Sequence, residues 1–246
     1  MIVYIQKEII GGIFMIRFAS GVTMTCAATD LVVGLVLIPL TLALKKINVT
    51  DEYEKKLWIK FMGVLSAVCL TGFIVHGIIW SDKAYGIIWV GLYAIMFIAV
   101  RNFFFVAVHK RFGENGISDN LSRVIDVVSV AMYILMSVLC LMGRNPIRIF
   151  TVYGILLIIP GFILFAMLAK ESGDGCSKLI ISALLPQLVG GAFILCRTEV
   201  FKFIVPMDHN CIYHLCLLVS VVFFYYAARR SLVQEEYNEE QEETLV

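Results

Sequence analysis

Residues 85–108 read YGIIWVGLYAIMFIAVRNFFFVAV, a run in which Arg101 is the single charged residue. A helix that crosses a bilayer needs about 20 predominantly apolar residues, so this run is long enough to span as a helix. Six further runs of this kind occur at 24–44, 57–80, 124–142, 147–168, 178–196 and 210–228. They are continuous, without the period-two alternation of a transmembrane β-barrel. The chain is therefore predicted to be an all-α, polytopic membrane protein with seven transmembrane helices.

The composition of the whole chain agrees with this fold class. Of the 246 residues, 60% are hydrophobic and 16% are charged, whereas soluble domains are about half apolar and a quarter charged. Seven crossings with short connections use nearly the whole length, so no separate soluble catalytic domain fits. A net charge of +1 without a long basic run argues against nucleic acid as a partner. The seven cysteines form no C-x-x-C pair and are expected to fill helix packing.

Three segments are predicted along the chain. Residues 1–20 form an N-terminal lead-in, because glycines and charges interrupt their apolar character. Residues 21–230 form the seven-helix transmembrane domain. Residues 231–246 form an acidic tail whose low hydrophobicity predicts a solvated, disordered segment.

The distribution of Lys and Arg between the loops predicts the orientation of the chain. The side that carries the C-terminus has 13 of these residues and the side that carries the N-terminus has 7. By the positive-inside rule the C-terminus is cytoplasmic and the N-terminus is outside or lumenal. We expect an integral protein of the plasma membrane or of an endomembrane.

Ionisable side chains inside the spans are candidates for a functional site, because they are costly at membrane depth. Asp30 lies early in the first helix, His76 late in the second, and His209 and His214 open the seventh. Since successive helices run in opposite directions, these four residues are predicted to lie at one depth near the non-cytoplasmic face. Two histidines from different helices together with a carboxylate are the donors that a zinc site needs.

Simpler structural roles are available for several of these residues. An interhelical hydrogen bond would account for His76 or His214 alone, and Asp208 is well placed to cap the seventh helix. Arg101, His109 and Asp126 lie toward the cytoplasmic ends of the third and fourth helices. Snorkelling or a mutual ion pair is expected to account for this second group.

Two short motifs carry a resemblance to a known superfamily. The segment Gly72-Phe-Ile-Val-His76-Gly77 and the segment His209-Asn-Cys-Ile-Tyr-His214 resemble the pattern of the alkaline ceramidases and adiponectin receptors (progestin and adipoQ receptors). Members of that superfamily have seven helices, bind zinc through a histidine on the second helix and an H-x-x-x-H pair on the seventh, and hydrolyse lipid amides. The chain looks like a divergent member, close to an uncharacterised membrane family with an H-N-x-x-Y-H motif.

The resemblance implies a set of roles at the site. His76 and His214, together with His209 or Asp30, would bind zinc. Asp30 would orient a water molecule or act as its base, and Asn210 would donate a hydrogen bond to the oxyanion. The substrate would be a membrane lipid with an amide bond. Three positions depart from the superfamily pattern. Gly72 replaces its serine, and Asn210 replaces the first histidine of its H-x-x-x-H pair. Its third-helix aspartate has no counterpart in 85–108, and Asp82 lies in the preceding loop.

A non-catalytic membrane protein is the alternative. The chain would then be receptor-like, a transporter or a scaffold, and its polar cluster would be structural. Retinal proteins are disfavoured because 210–228 contains no lysine for a Schiff base. G-protein-coupled receptors are disfavoured because the third helix has no acid before Arg101 and the seventh has no Asn-Pro turn.

The C-terminal residues suggest a protein partner. Thr244, Leu245 and Val246 resemble a class I PDZ ligand, in which an apolar last residue follows Ser or Thr two positions earlier. The predicted cytoplasmic placement of the tail is compatible with capture by a PDZ domain. An arbitrary tail sequence is the alternative.

Overall fold

The computed structural model of the chain describes residues 18–113, 116–144, 147–196 and 207–243. Most of the predicted lead-in, and Thr244, Leu245 and Val246 of the predicted PDZ ligand, lie outside the described residues. Within the described ranges the helices are α1 Val22–Lys45, α2 Glu52–Gly77, α3 Asp82–Phe112, α4 Asp119–Leu141, α5 Ile147–Glu171, α6 Gly175–Cys196 and α7 His209–Glu243. Seven helices are long and apolar enough to cross a membrane. The predicted fold class is confirmed.

Short polar residues fix where several helices begin. Asp51, Ser81 and Ser118 each accept a hydrogen bond from a backbone N–H in the first turn of the helix that follows, which satisfies a donor that the helix itself leaves unpaired. Helix α3 ends at Phe112, and the φ of 69° at the next residue, Gly113, lies in the left-handed region that glycine adopts without strain.

The start of α1, the end of α2 and the start of α7 lie close together. The N–H of Ala19 donates to the carbonyl of Gly77 at 2.9 Å, and the thiol of Cys211 approaches the carbonyl of Val22 at 3.9 Å. The starts of α1 and α7 and the end of α2 therefore share one end of the bundle, which we call the upper end. The opposite end, where α2 begins, is the lower end; sequence predicts that it is cytoplasmic.

An aromatic layer separates the two ends in the interior. Phe61 of α2, Phe103 of α3 and Phe224 of α7 contact one another with ring centroids 5.4–6.1 Å apart. Trp58 and Phe165 are fully buried beside this layer. Rings in such edge-on and tilted contacts stabilise the interior beyond the burial of their area.

The outer surface of the bundle is apolar, as a lipid environment requires. On α4, Val124, Val127, Val130 and Leu141 are between 56% and 68% exposed. Contiguous apolar exposure on this scale is unusual in soluble monomers and typical of surfaces that meet lipid.

Helix α7 is longer than the span that the sequence predicts. It runs to Glu243, through most of the segment 231–246 whose acidic composition predicts a disordered tail. Glu and Gln are good helix formers, and adding residues to an existing helix avoids the cost of a new nucleus. The helix therefore continues beyond the apolar span, which ends at Val233.

The predicted pairing of Arg101 with Asp126 is confirmed. The Arg101 Nε and Nη2 atoms donate to the two carboxylate oxygens of Asp126 at 2.5 and 3.2 Å. The third residue of that predicted group, His109, pairs with Asp51 instead.

Candidate metal centre

Side chains from α1, α2 and α7 converge at the upper end. The structure brings together three of the predicted site residues, Asp30, His76 and His214, and adds Cys26, which the sequence analysis treats as packing. Donor atoms of Cys26, Asp30 and His76 lie within 4.8 Å of one another. The Nε2 atom of His214 lies 3.4 Å from Oδ1 of Asp30, whose side chain is only 7% exposed. We call Cys26, Thr29, Asp30, His76 and His214 the upper cluster.

A glycine on α2 makes room for the carboxylate of Asp30. A Cβ atom at Gly72 would lie 2.7 Å from Oδ2 and 2.9 Å from Cγ of Asp30, closer than such atoms approach in proteins. The carboxylate therefore rests against the backbone of α2, one helical turn before His76. The absence of a side chain at Gly72 thus allows Asp30 of α1 to pack directly against α2.

Thr29 sets the orientation of the His214 ring. The hydroxyl of Thr29 donates to the carbonyl of Cys26 at 2.7 Å and lies 3.1 Å from Nδ1 of His214. From this network we assign the proton of the neutral ring to Nδ1, because the hydroxyl proton is already committed. The unprotonated Nε2 then faces the carboxylate of Asp30, so two acceptors face each other across 3.4 Å.

Two members of the upper cluster lack hydrogen bonds from any described residue. Apart from the 3.4 Å approach of His214, the carboxylate of Asp30 has no polar partner among them. His76 makes an edge-on contact with Trp89, at 5.8 Å between ring centroids, and no hydrogen bond to the described residues. Buried polar groups in native proteins are nearly always paired. A cation or a proton between these acceptors would satisfy both Asp30 and His214.

The start of α7 is occupied by capping interactions. Oδ1 of Asp208 accepts from the backbone N–H groups of Asn210 and Cys211, both at 3.0 Å, and the Asn210 amide donates to Oδ2 at 3.1 Å. Burial by itself raises the pKa of Asp208, but these hydrogen bonds outweigh it, so the pKa lies below its usual range. Asp208 has the predicted role of N-cap, and it engages the amide of Asn210, the predicted oxyanion donor.

His209 stands apart from the other predicted ligands. It is not among the described donor groups that contain Asp30 or His76. Its Nδ1 atom is buried without a hydrogen-bond partner among the described residues. The donor that the structure places beside Asp30 and His76 is Cys26 instead. A second group, formed by Cys26, Asp208 and Cys211, is equally close, but the oxygens of Asp208 already accept the capping hydrogen bonds.

A second polar cluster lies at the lower end of the bundle. It is formed by Asp51, Glu54, Trp58, His109, Lys110 and Ser231 and is called the lower cluster. Oδ2 of Asp51 lies 2.6 Å from Nε2 of His109. Oε1 of Glu54, a residue only 1% exposed, accepts from the Trp58 indole at 3.0 Å and from the Ser231 hydroxyl.

The lower cluster does not fit a metal ion, although Asp51, Glu54 and His109 bring donor atoms within 4.8 Å of one another. The ammonium group of Lys110 lies 3.5 Å from Oε2 of Glu54 and supplies the positive charge that a metal would bring. The remaining carboxylate oxygens already have donors. Sequence reasoning misses Glu54 because it lies among the charges of a loop and a first helical turn, whereas in the fold α3 and α7 pack against it through Lys110 and Ser231.

Comparison with models of protein families gives a match. A family model described as a family of unknown function (DUF6962) matches residues 25–233. That range includes every residue of the upper and lower clusters. No curated protein and no solved structure matches the chain.

Proposed function

The chain belongs to this family of unknown function, and we propose that it is a multi-pass membrane protein that binds zinc in the upper cluster and hydrolyses an amide bond of a membrane lipid there. The observation that carries the proposal is the convergence of Cys26, Asp30 and His76, whose donor atoms lie within 4.8 Å of one another. The resemblance to the alkaline ceramidases and adiponectin receptors suggests the lipid amide as substrate.

The donor set fits zinc. Thiolate, carboxylate and imidazole are its usual protein ligands, and catalytic zinc sites use three such ligands and keep one position open. Asp30 and His76 have no hydrogen bond from the described residues, so their lone pairs are available. Zinc supplies Lewis acidity that activates water and polarises a carbonyl group.

The group that transfers the proton in the proposed reaction is His214, whose ring orientation is fixed. Because Thr29 engages Nδ1 of His214, Nε2 is free to accept a proton from the attacking water. The same atom then returns that proton to the amine nitrogen as the carbon–nitrogen bond breaks, so one water yields one acid and one amine. General acid–base catalysis by a positioned histidine contributes about 10²–10⁴-fold to a rate.

The depth of the upper cluster favours a lipid substrate. Asp30 lies eight residues after the start of α1 at Val22, or about 12 Å along the axis at 1.5 Å per residue. A lipid amide near the headgroup region lies at comparable depth, whereas a water-soluble amide would have to leave water to reach it. The apolar outer faces of the helices allow a lipid to approach from the side.

A structural clasp is the second candidate function. The hydrogen bond between Thr29 and His214 and the approach of His214 to Asp30 join α1 to α7 without a metal. In that case the upper cluster would hold helices together in a receptor-like, transporter or scaffold protein.

Metal analysis of the purified protein separates the two candidates. We expect about one zinc per chain in the wild type, loss of that zinc in His76→Gln, and retention in His109→Gln, a matched change of a buried histidine in the lower cluster. Hydrolysis of a ceramide is then measured on the same preparations. Absence of zinc from the wild type, or equal zinc in both variants, would refute the metal site. Zinc without hydrolysis would refute the proposed hydrolase, whereas absence of zinc would favour the clasp.

A further inference from the structure

A groove of about 400 Å³ opens at the lower end between the start of α6 and the end of α7. Leu179 of α6 lines one side, and Tyr226, Arg229, Arg230 and Val233 of α7 line the other. Tyr226 is 50% exposed and Val233 is 44% exposed. The groove therefore combines an open apolar wall with two cations, and it is remote from the upper cluster.

Both arginines of the groove are exposed and lack partners among the described residues. Neither Arg229 nor Arg230 has an ion pair or a hydrogen bond there. The carboxylate of Asp174, at the start of α6, is engaged in capping, since it accepts from the backbone N–H of Ser177 at 2.7 Å and from its hydroxyl. Guanidinium groups present planar arrays of donors that match phosphate oxygens, so this pair is suited to bind an anion.

The position of Arg230 adds to the local positive potential. A Cβ atom at Gly175 would lie 2.1 Å from Nε of Arg230, so the guanidinium lies directly against the first residue of α6. The start of a helix carries partial positive charge from its backbone N–H groups. A cation held at that place increases the attraction for a negatively charged ligand.

The position of the groove along the membrane normal indicates the class of ligand. The apolar span of α7 ends at Val233, only three residues after Arg230, so the arginines lie where a bilayer changes from acyl chains to phosphates. Basic pockets between helices on the cytoplasmic side of membrane proteins bind anionic lipid headgroups. We propose that the groove binds an anionic phospholipid, with its phosphate on Arg229 and Arg230 and an acyl chain along Leu179, Tyr226 and Val233.

Native mass spectrometry of the full chain in detergent tests this proposal. Phosphatidylserine and phosphatidylcholine with identical acyl chains are titrated separately, and glycerophosphoserine serves as the soluble headgroup. We expect phosphatidylserine to bind about 25-fold more tightly than phosphatidylcholine. Each basic residue near a membrane surface contributes about fivefold to such binding, so Arg229→Gln combined with Arg230→Gln is expected to remove the preference.

Two further variants make the test specific. Lys45→Gln combined with Lys46→Gln removes two adjacent exposed charges at the same end and is expected to leave the preference intact. Leu179→Trp fills the groove without a change of charge and is expected to weaken phosphatidylserine binding by about fivefold, with unchanged thermal stability as the check on folding. Equal binding of both lipids, an equal loss in the lysine variant, normal binding by Leu179→Trp, or full competition by glycerophosphoserine would each overturn the proposal.

Discussion

The upper and lower clusters contain similar residue types but differ in how those residues are paired. Each has a buried carboxylate and a histidine from neighbouring helices. In the lower cluster Glu54 has three donors, from Trp58, Ser231 and Lys110. In the upper cluster Asp30 has no hydrogen bond from the described residues, and Nε2 of His214 lies 3.4 Å from its Oδ1. The difference separates a network whose carboxylates are paired with hydrogen-bond donors from a set of acceptors that is incomplete without a further group.

The physical basis of this distinction is the cost of an unpaired buried charge. A hydrogen-bonded buried network stabilises a fold only while every member has its partner. Acceptors that converge without donors oppose folding, so their presence in a native protein calls for a ligand or a proton. The two clusters should therefore respond in opposite directions when a carboxylate is removed.

The largest effect is expected from Glu54→Ala in the lower cluster. The change removes the acceptor of the Trp58 indole and the Ser231 hydroxyl and leaves the ammonium of Lys110 without this carboxylate. Breaking a buried pair in this way lowers the free energy of unfolding by about 3–5 kcal/mol. Thermal unfolding of the detergent-solubilised protein measures the loss, and zinc content should be unchanged in the folded fraction.

Glu52→Ala is the matched control for that change. Its carboxylate lies in the same first turn of α2, but its side chain is 55% exposed and its pair with Lys55 is on the surface. Exposed pairs contribute less than about 1 kcal/mol. A loss at Glu54 no larger than the loss at Glu52 would show that the lower cluster does not stabilise the bundle.

A second prediction concerns the space that Gly72 provides for Asp30. Gly72→Ala places a methyl group 2.7 Å from Oδ2 of Asp30, so the carboxylate must move. We expect overpacking to lower the free energy of unfolding by about 1–3 kcal/mol. We also expect zinc binding to be about tenfold weaker, because small displacements of a ligand impair a metal site. Thermal unfolding and a zinc titration measure the two effects.

Gly63→Ala provides the comparison within the same helix. The nearest atom to the new methyl group is Thr41 Cγ2 at 3.8 Å, an ordinary contact. Since alanine is favoured over glycine in a helix by up to about 1 kcal/mol, we expect unchanged or higher stability and unchanged zinc. Equal behaviour of the two variants would show that Asp30 does not depend on the space at Gly72.

The sequence predicts the fold because the length and polarity of an apolar run are local properties. The shared level of Asp30, His76 and His214 was also predictable, since alternating helix direction is enough to place them. Cys26 was not, because a cysteine in an apolar run looks like packing until its neighbours are known. Glu54 was missed for the opposite reason: its local sequence is that of an exposed first turn, and α3 and α7 pack against it.

A third prediction tests whether replacing the carboxylate of Asp30 raises or lowers the stability of the metal-free protein. Asp30→Asn replaces an acceptor that faces His214 Nε2 with an amide that can donate to it. We expect the metal-free protein to be more stable by about 1 kcal/mol, the contribution of a typical hydrogen bond, while zinc binding is lost. Unfolding after chelator treatment measures the first effect, and metal analysis measures the second.

Asp126→Asn is the counterpart of that change. Asp126 accepts two hydrogen bonds from Arg101 in a partly exposed pair, so the same substitution should lower stability there, by less than about 1 kcal/mol. If Asp30→Asn destabilises the metal-free protein as Asp126→Asn does, the carboxylate of Asp30 is already satisfied and the contrast between the clusters disappears.

The smallest effect on stability is expected from protonation of the Asp51 carboxylate at low pH. Burial by itself raises the pKa of Asp51, but hydrogen bonds from the backbone N–H of Glu54 and from His109 outweigh it, so the folded-state pKa lies below its usual range. A depressed pKa contributes stability above the unfolded-state pKa of about 3.9. That contribution is lost as the pH falls through the lower folded-state pKa.

Asp51→Asn should therefore lower stability at neutral pH by roughly 0.5 kcal/mol, the scale of a partly exposed pair, since asparagine still caps the helix. The gap, meaning the difference in the free energy of unfolding between Asp51→Asn and the wild type, should stay constant down to a pH of about 4. It should then close as the wild-type carboxylate protonates. Thermal unfolding across this range measures the gap. Asp119→Asn, an exposed change in the first turn of α4, controls for the general effect of acid. A gap that persists at low pH would mean that the charge of Asp51 does not stabilise the lower cluster, because only an ionised carboxylate gains from its pairing with His109.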